Sequence, residues 1–159
     1  MKKQFIRNAA ALALLTVAAL GSGFAQTKAH ACNNKLIGGY YGFTLQGNKL
    51  AGMGPTGPQV GVAMTKFDGK GGLTQIDTVT IDGEVVSDFT HTPANGTYTV
   101  NSDCTGTFTI VFTDNRPTVV VNFVVVANGD EIDTVVISAG GNQGILALGS
   151  IGKRRSPEF

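Results

Sequence analysis

From Cys32 to the end of the chain, apolar and polar residues alternate with a period of two. Clusters of Gly, Pro, Asn and Asp interrupt the alternation every 8 to 14 residues. Successive side chains of a strand point to opposite faces, so this pattern describes half-buried β-strands. In residues 37–46, Tyr41, Phe43 and Leu45 share a face; in 59–67, Val60, Val62 and Met64 share one and Gly61, Ala63 and Thr65 the other. Further strands are expected at 73–81, 84–91, 96–101, 105–112, 118–127, 131–139 and 145–152, with turns at 68–72, 82–83, 92–96, 114–117, 128–130 and 140–144. Asp82-Gly83 between two such runs is a strong hairpin signal. Thr, Val and Ile dominate, as a pleated surface favours, and no segment keeps the 3.6-residue period of an amphipathic helix. The links are short enough to join adjacent antiparallel strands, and closure removes the exposed edges that Val-rich strands offer to other chains. The expected fold is therefore all-β: a single closed eight- to nine-stranded antiparallel up-and-down β-barrel, with a β-sandwich as the alternative.

The start of the chain reads differently. Lys2, Lys3 and Arg7 precede an apolar run of twelve residues, 9–20, and small residues follow. That order is the mark of a cleaved secretory signal peptide, and a membrane-spanning helix needs about 20 apolar residues. The expected organisation is a signal peptide at 1–31 (alternative end at 25), a barrel domain at 32–152 and a basic disordered tail at 153–159. The product is expected to be secreted or periplasmic. A lipid anchor on Cys32 is disfavoured, because Ala29 stands where a lipobox carries Leu.

Removing 31 of 159 residues leaves 128, enough for one domain with a real core. The leader takes four of the twelve basic residues and none of the eleven acidic ones, so the remainder carries a net charge of −3. Clustered positive charge is what displaces counterions from nucleic acid, so no nucleic-acid partner is expected. Cys32 and Cys104 are the only cysteines. A lone pair in an oxidising compartment is expected to form one disulfide. It would close a loop of about 70 residues, worth roughly 4 kcal/mol in the chain-entropy model.

Signs of chemistry are sparse. His91 is the one histidine outside the leader; it reads as a solvated side chain beside a turn. Metal sites want several His or Cys ligands, so neither a metal nor a cofactor is expected. Asp77 shares its phase with Leu73, Val79 and Ile81 and so points inward, unless a bulge reverses it. An inward carboxylate in a barrel could serve as an acid or base. Asp133 shares phase with Val135 and Ile137 and is left open in the same way. Tyr41, Phe43, Tyr98, Phe108, Phe112 and Phe123 fall on the apolar faces of their strands. With Asp77 they are the expected barrel-lining, ligand-binding residues; no catalytic residue is assigned. Residues 47–58 form the longest irregular stretch, a surface loop or a lid over a barrel mouth. The run Val119–Val126 is apolar on both faces apart from Asn122, so its outer face is expected to be covered in a homo-oligomer.

LIGGYYGFTLQG, FDGKGGLTQIDTVTIDG and GTYTVNSDCTGTFTI, in that order, resemble small secreted bacterial proteins with an allene oxide cyclase or dirigent-like barrel. The resemblance spans most of residues 36–139. It implies an eight-stranded antiparallel barrel, oligomers such as trimers and hydrophobic small molecules handled in the barrel without a cofactor. No catalytic residue of that family maps onto a position here. The leading functional expectation is an exported barrel binding an apolar small molecule. The alternatives are a cofactor-free cyclase or isomerase and a structural or adhesive surface protein with a packed barrel. Stable membrane insertion is not expected: outer-membrane strands run about 9 to 11 residues with aromatic girdles, and this chain has no Trp.

Overall fold

The computed structural model describes residues 31–114, 116–141 and 145–156. Residues 1–30 of the expected leader and 157–159 of the expected tail lie outside the described residues. Nine strands follow one another: β1 (Gly39–Lys49), β2 (Gly57–Phe67), β3 (Gly72–Ile81), β4 (Glu84–Ser87), β5 (Ala94–Val100), β6 (Thr105–Val111), β7 (Val119–Val126), β8 (Glu131–Ala139) and β9 (Leu146–Arg154). All pairings are antiparallel. Eight strands close on themselves in the order β1-β2-β3-β5-β6-β7-β8-β9, and β4 pairs only with the upper part of β3. The expected up-and-down barrel is thus what forms, with β4 as an extra arm.

Inward phases decide which residues fill the barrel. On β2 the inward set is Gln59, Ala63, Thr65 and Phe67, while Val60 and Val62 face out at 56 % and 46 % exposure. Phe67 pins that register. Its ring lies 4.9 Å from Tyr98, 5.5 Å from Tyr41 and 6.1 Å from Phe108, mostly edge-on, the geometry aromatic pairs prefer. Phe108 in turn meets Phe123 at 5.7 Å. These rings fill one end of the barrel. Glycine across the strand makes room for them: a Cβ on Gly106 would sit 2.2 Å from the Phe123 ring, and one on Gly152 2.2 Å from Phe43.

The same end has a floor. The 3-10 turn Asn34–Ile37 crosses it and buries Ile37 completely. Cys32 and Cys104 are disulfide-bonded, with Cα atoms 5.0 Å apart and a sequence separation of 72. The bridge ties the floor to the β5–β6 turn. Arg154 seals the floor. Its guanidinium lies 4.9 Å over the Tyr41 ring and donates to the carbonyls of Leu36 (2.6 Å), Gly38 (2.6 Å) and Gly129 (2.8 Å). The last strand therefore does not stop at Gly152: Lys153 and Arg154 belong to β9, paired with Gly42 and Tyr41. A basic run reads as solvated in sequence, but here one guanidinium satisfies three carbonyls of turns that have no ladder of their own.

Two other expected boundaries shift. The strand expected at 84–91 ends at Ser87, because the Asp88 carboxylate accepts from the backbone N–H of Thr90 (2.8 Å) and curls the chain into a turn. The irregular stretch expected at 47–58 is only residues 50–56. β1 runs on to Lys49, where it pairs with both Gly57 and Leu146.

Candidate functional site

Above the aromatic layer the inward side chains become shorter and the barrel opens. Leu45, Ala63, Val79, Ile110, Val136 and Leu148 are too short to meet across it, and a cavity of about 750 Å³ remains. Gly52, Met53, Gly54 and Pro55 of the 50–56 loop stand at its mouth. Lys49 Nζ donates to the Met53 carbonyl and fixes the loop there.

Of the residues expected to line a pocket, Phe43, Asp77, Phe108 and Phe112 do so. Tyr41, Tyr98 and Phe123 are buried in the aromatic end instead, packed within the core below the cavity. Asp77 points inward and is 2 % exposed. Asp133 takes the other phase: Val135 and Ile137 beside it are exposed, whereas Thr134 and Val136 line the cavity.

Asp77 sits at a split in the wall. The β3–β5 ladder ends at Gln75 opposite Ala94, and the β3–β4 ladder begins at Val79 opposite Ser87. Between them no strand continues the sheet, and side chains bridge the opening. Arg116, from the β6–β7 link, reaches across and donates from Nη1 to Asp77 Oδ1 at 2.8 Å. Ser87 Oγ donates to the same oxygen, and Gln75 Nε2 donates to Oδ2 at 3.2 Å. Thr65 Oγ1 extends the chain by donating to Gln75 Oε1 at 2.8 Å. The result is a polar stripe on one wall of an otherwise apolar chamber.

Arg116 is held on every side. Nε lies 2.9 Å from each oxygen of Asp114, and the guanidinium stacks 3.9 Å over the Phe112 ring, the arrangement that suits a planar cation. Burial acts to raise the Asp114 pKa, but the hydrogen bond and charge of Arg116 outweigh it and hold the carboxyl below its usual value. His91 closes the cluster. Its Nδ1 meets the Asp88 carbonyl, so that nitrogen carries the proton, and Nε2 accepts from Arg116 Nη2 at 3.3 Å. The His91 side chain is only 11 % exposed. The expectation of a solvated histidine is therefore corrected: the Asp88 turn swings it back onto the wall.

Arg116, Gln59, Gln75 and Ser87 are members of the site that sequence reasoning did not single out. Gln59 and Gln75 carried a signal, since each lies in the inward phase of its strand. Arg116 carried none, because a turn residue has no phase. Gln59 is 6 % exposed, and its Oε1 has no hydrogen-bond partner. On the opposite wall Thr134 and Ser150 hydroxyls satisfy each other at 2.6 Å. Among the described residues no three His, Cys, Asp or Glu side chains gather as metal ligands, and no helix is long and apolar enough to cross a membrane.

No protein family matches the chain, and neither the curated proteins nor the solved structures provide a match. The geometry defines a class all the same: a closed eight-stranded antiparallel barrel, disulfide-tied and packed at one end, hollow at the other.

Proposed function

We propose that this chain is an exported β-barrel protein that binds an apolar small molecule inside the barrel. The cavity of about 750 Å³ carries the proposal. It falls within the roughly 300–1,000 Å³ of pockets that take small organic ligands, and its mostly apolar wall with a few fixed polar groups is how such pockets are built. A barrel packed solid for a purely structural or adhesive role fits less well with that space. Export is supported by the charged, apolar and small-residue order of the leader and by the disulfide. Kinship with allene oxide cyclase or dirigent-like barrels is supported by the hairpin order and the eight-stranded closure.

A cofactor-free cyclase or isomerase is the second reading, favoured by the Asp77 carboxylate standing in the cavity wall. Its oxygens already accept from Ser87, Gln75 and Arg116, so a substrate would have to displace one of these donors. Assembly belongs to the same proposal. On the outer face Val124, Val135, Ile137 and Ile151 are 40–52 % exposed, and the register sets Val124, Asp133 and Ile151 in one row. We assign this face of β7–β9 to contact with further copies of the chain.

Native mass spectrometry of the protein purified from its own host tests all three points at once. The expected spectrum shows an oligomer with one retained or exchangeable small molecule per chain after exposure to long-chain and terpenoid compounds. Conversion of an added compound would move the assignment to the enzyme. A bare monomer throughout would sink the binding proposal and return the barrel to a structural role.

A further inference from the structure

We infer that the barrel's ligand is an uncharged, elongated apolar molecule carrying one hydroxyl, and that Gln59 binds this hydroxyl near the mouth. The inference rests on the ligand-binding reading and gives that ligand a chemistry. Gln59 lies two residues inside the start of β2 and faces the cavity. Among the described residues every other polar side chain lining the cavity has a partner: Gln75 and Asp77 in the stripe, Thr134 with Ser150, Lys49 on the Met53 carbonyl and Arg116 on the carboxylates of Asp77 and Asp114. Gln59 Oε1 alone among them is left without a donor. A buried acceptor without a donor is a standing cost that a bound group can remove.

A hydroxyl answers this site in either orientation of the amide. Turning the last torsion of Gln59 exchanges its oxygen for its NH₂. A hydroxyl both donates and accepts, so it satisfies whichever atom faces it; an ether or ketone satisfies only the NH₂. Charge argues against an acid. Lys49, Asp77, Asp114 and Arg116 line the cavity and their charges sum to zero. Arg116 is already held by two carboxylates. A buried carboxylate would therefore lose its hydration without a compensating net field. Below Gln59 the walls are apolar apart from the Asp77 stripe and the Thr134–Ser150 pair, whose polar groups already have partners. From Lys49 to Phe43 the lining of β1 spans six residue rises, roughly 20 Å of strand, which sets the elongated shape of the tail.

Calorimetric titration of the purified protein with 1-dodecanol, dodecane and dodecanoate tests the assignment, with native mass spectrometry confirming one molecule per chain. Dodecanol is expected to bind roughly three- to tenfold more tightly than dodecane or dodecanoate, the worth of one net hydrogen bond. Gln59→Met keeps an unbranched chain of similar length and is expected to bring dodecanol to within about twofold of dodecane. Gln59→Leu serves in the same role should the methionine variant melt early. Tightest binding of dodecanoate, or an alcohol preference that survives in both variants, overturns the hydroxyl assignment while leaving ligand binding in place. Failure of all three compounds to bind the unaltered protein overturns the ligand-binding reading, and this inference with it.

Discussion

The two ends of this barrel are built from the same eight strands, yet one is solid and the other hollow. At the closed end rings reach across the barrel among aliphatic neighbours such as Leu73, Val100 and Ile132: Tyr41, Phe43, Phe67, Tyr98 and Phe123, with Gly152 making room for Phe43 and Gly106 for Phe123. At the open end the inward positions carry Leu45, Ala63, Val79, Ile110 and Leu148. Strand number fixes the diameter of a barrel, and eight strands enclose a space that side chains can just fill. Aliphatic chains from opposite walls stop short of one another, whereas rings interdigitate. Whether such a barrel holds a core or a chamber is thus set by side-chain reach along its axis, not by its topology.

Deleting one large side chain at each end probes that contrast most strongly. Phe67 is 1 % exposed and touches three other rings. Phe67→Ala is expected to cost about 3–5 kcal/mol, because the ring's transfer energy is lost and its neighbours cannot collapse. Leu148 is nearly as buried but borders the cavity. Fewer packed neighbours are lost there, so Leu148→Ala is expected near the low end of its class, about 2 kcal/mol. Urea unfolding with an unchanged slope measures both. Equal losses would mean the open end is as tightly packed as the closed one.

The closed end was the more legible of the two in sequence. Period-two runs and turn clusters give the strands, and phase alone turns the rings at 41, 98 and 123 inward, although they pack the core rather than line a pocket. The cysteine pair needed only its compartment. The chamber was harder to read, for physical reasons. Val60 and Val62 look like core residues, but Phe67 sets the phase of β2 and turns them outward. Asp77 could be placed inward from its own strand, whereas its cation could not: Arg116 comes from a turn 39 residues away. Arg154 was concealed by its neighbours Lys153 and Arg155, since a basic run looks solvated until the carbonyls it satisfies are in place. Side chains that act across a barrel leave no local pattern.

Alkaline titration probes how dry the closed end is. Burial pushes the Tyr41 pKa up to about 12, with Arg154 working against the rise. An unfolded tyrosine ionises near its model value of 10.0. The folded chain therefore holds this proton more firmly, and the associated stability is fully present below pH 10 and lost as pH rises through about 12. The loss is on the order of 2 kcal/mol. Tyr41→Phe has no such proton. At neutral pH it gives up only the hydrogen bond to the Gly129 carbonyl, which Arg154 also serves, a cost of about 1 kcal/mol. Urea midpoints of the two proteins are expected to converge and then cross between pH 10 and 12. Parallel curves would show that water reaches Tyr41. Tyr98, whose pKa burial also raises, gives both proteins the same remaining slope.

Adding atoms should separate the ends by sign, on a smaller scale. A Cβ at Gly106 would lie 2.2 Å from the Phe123 ring and 2.5 Å from the Thr99 carbonyl oxygen. Backbone cannot yield to it, so Gly106→Ala is expected to destabilise by about 1–3 kcal/mol. Ala63 faces the chamber between Phe43 and Asp77 on the neighbouring strands. There Ala63→Val adds methyl groups into open space and improves strand propensity, so it is expected to stabilise by about 0.5–1 kcal/mol. The valine also takes volume from the chamber, so the same substitution should weaken ligand binding while strengthening the fold, as residual function and stability often oppose one another at a site. Thermal melts and dodecanol titrations of the two variants read both effects. If valine at 63 destabilises as alanine at 106 does, the space above Phe43 is not free to be filled, and the chamber must close on itself when no ligand is present.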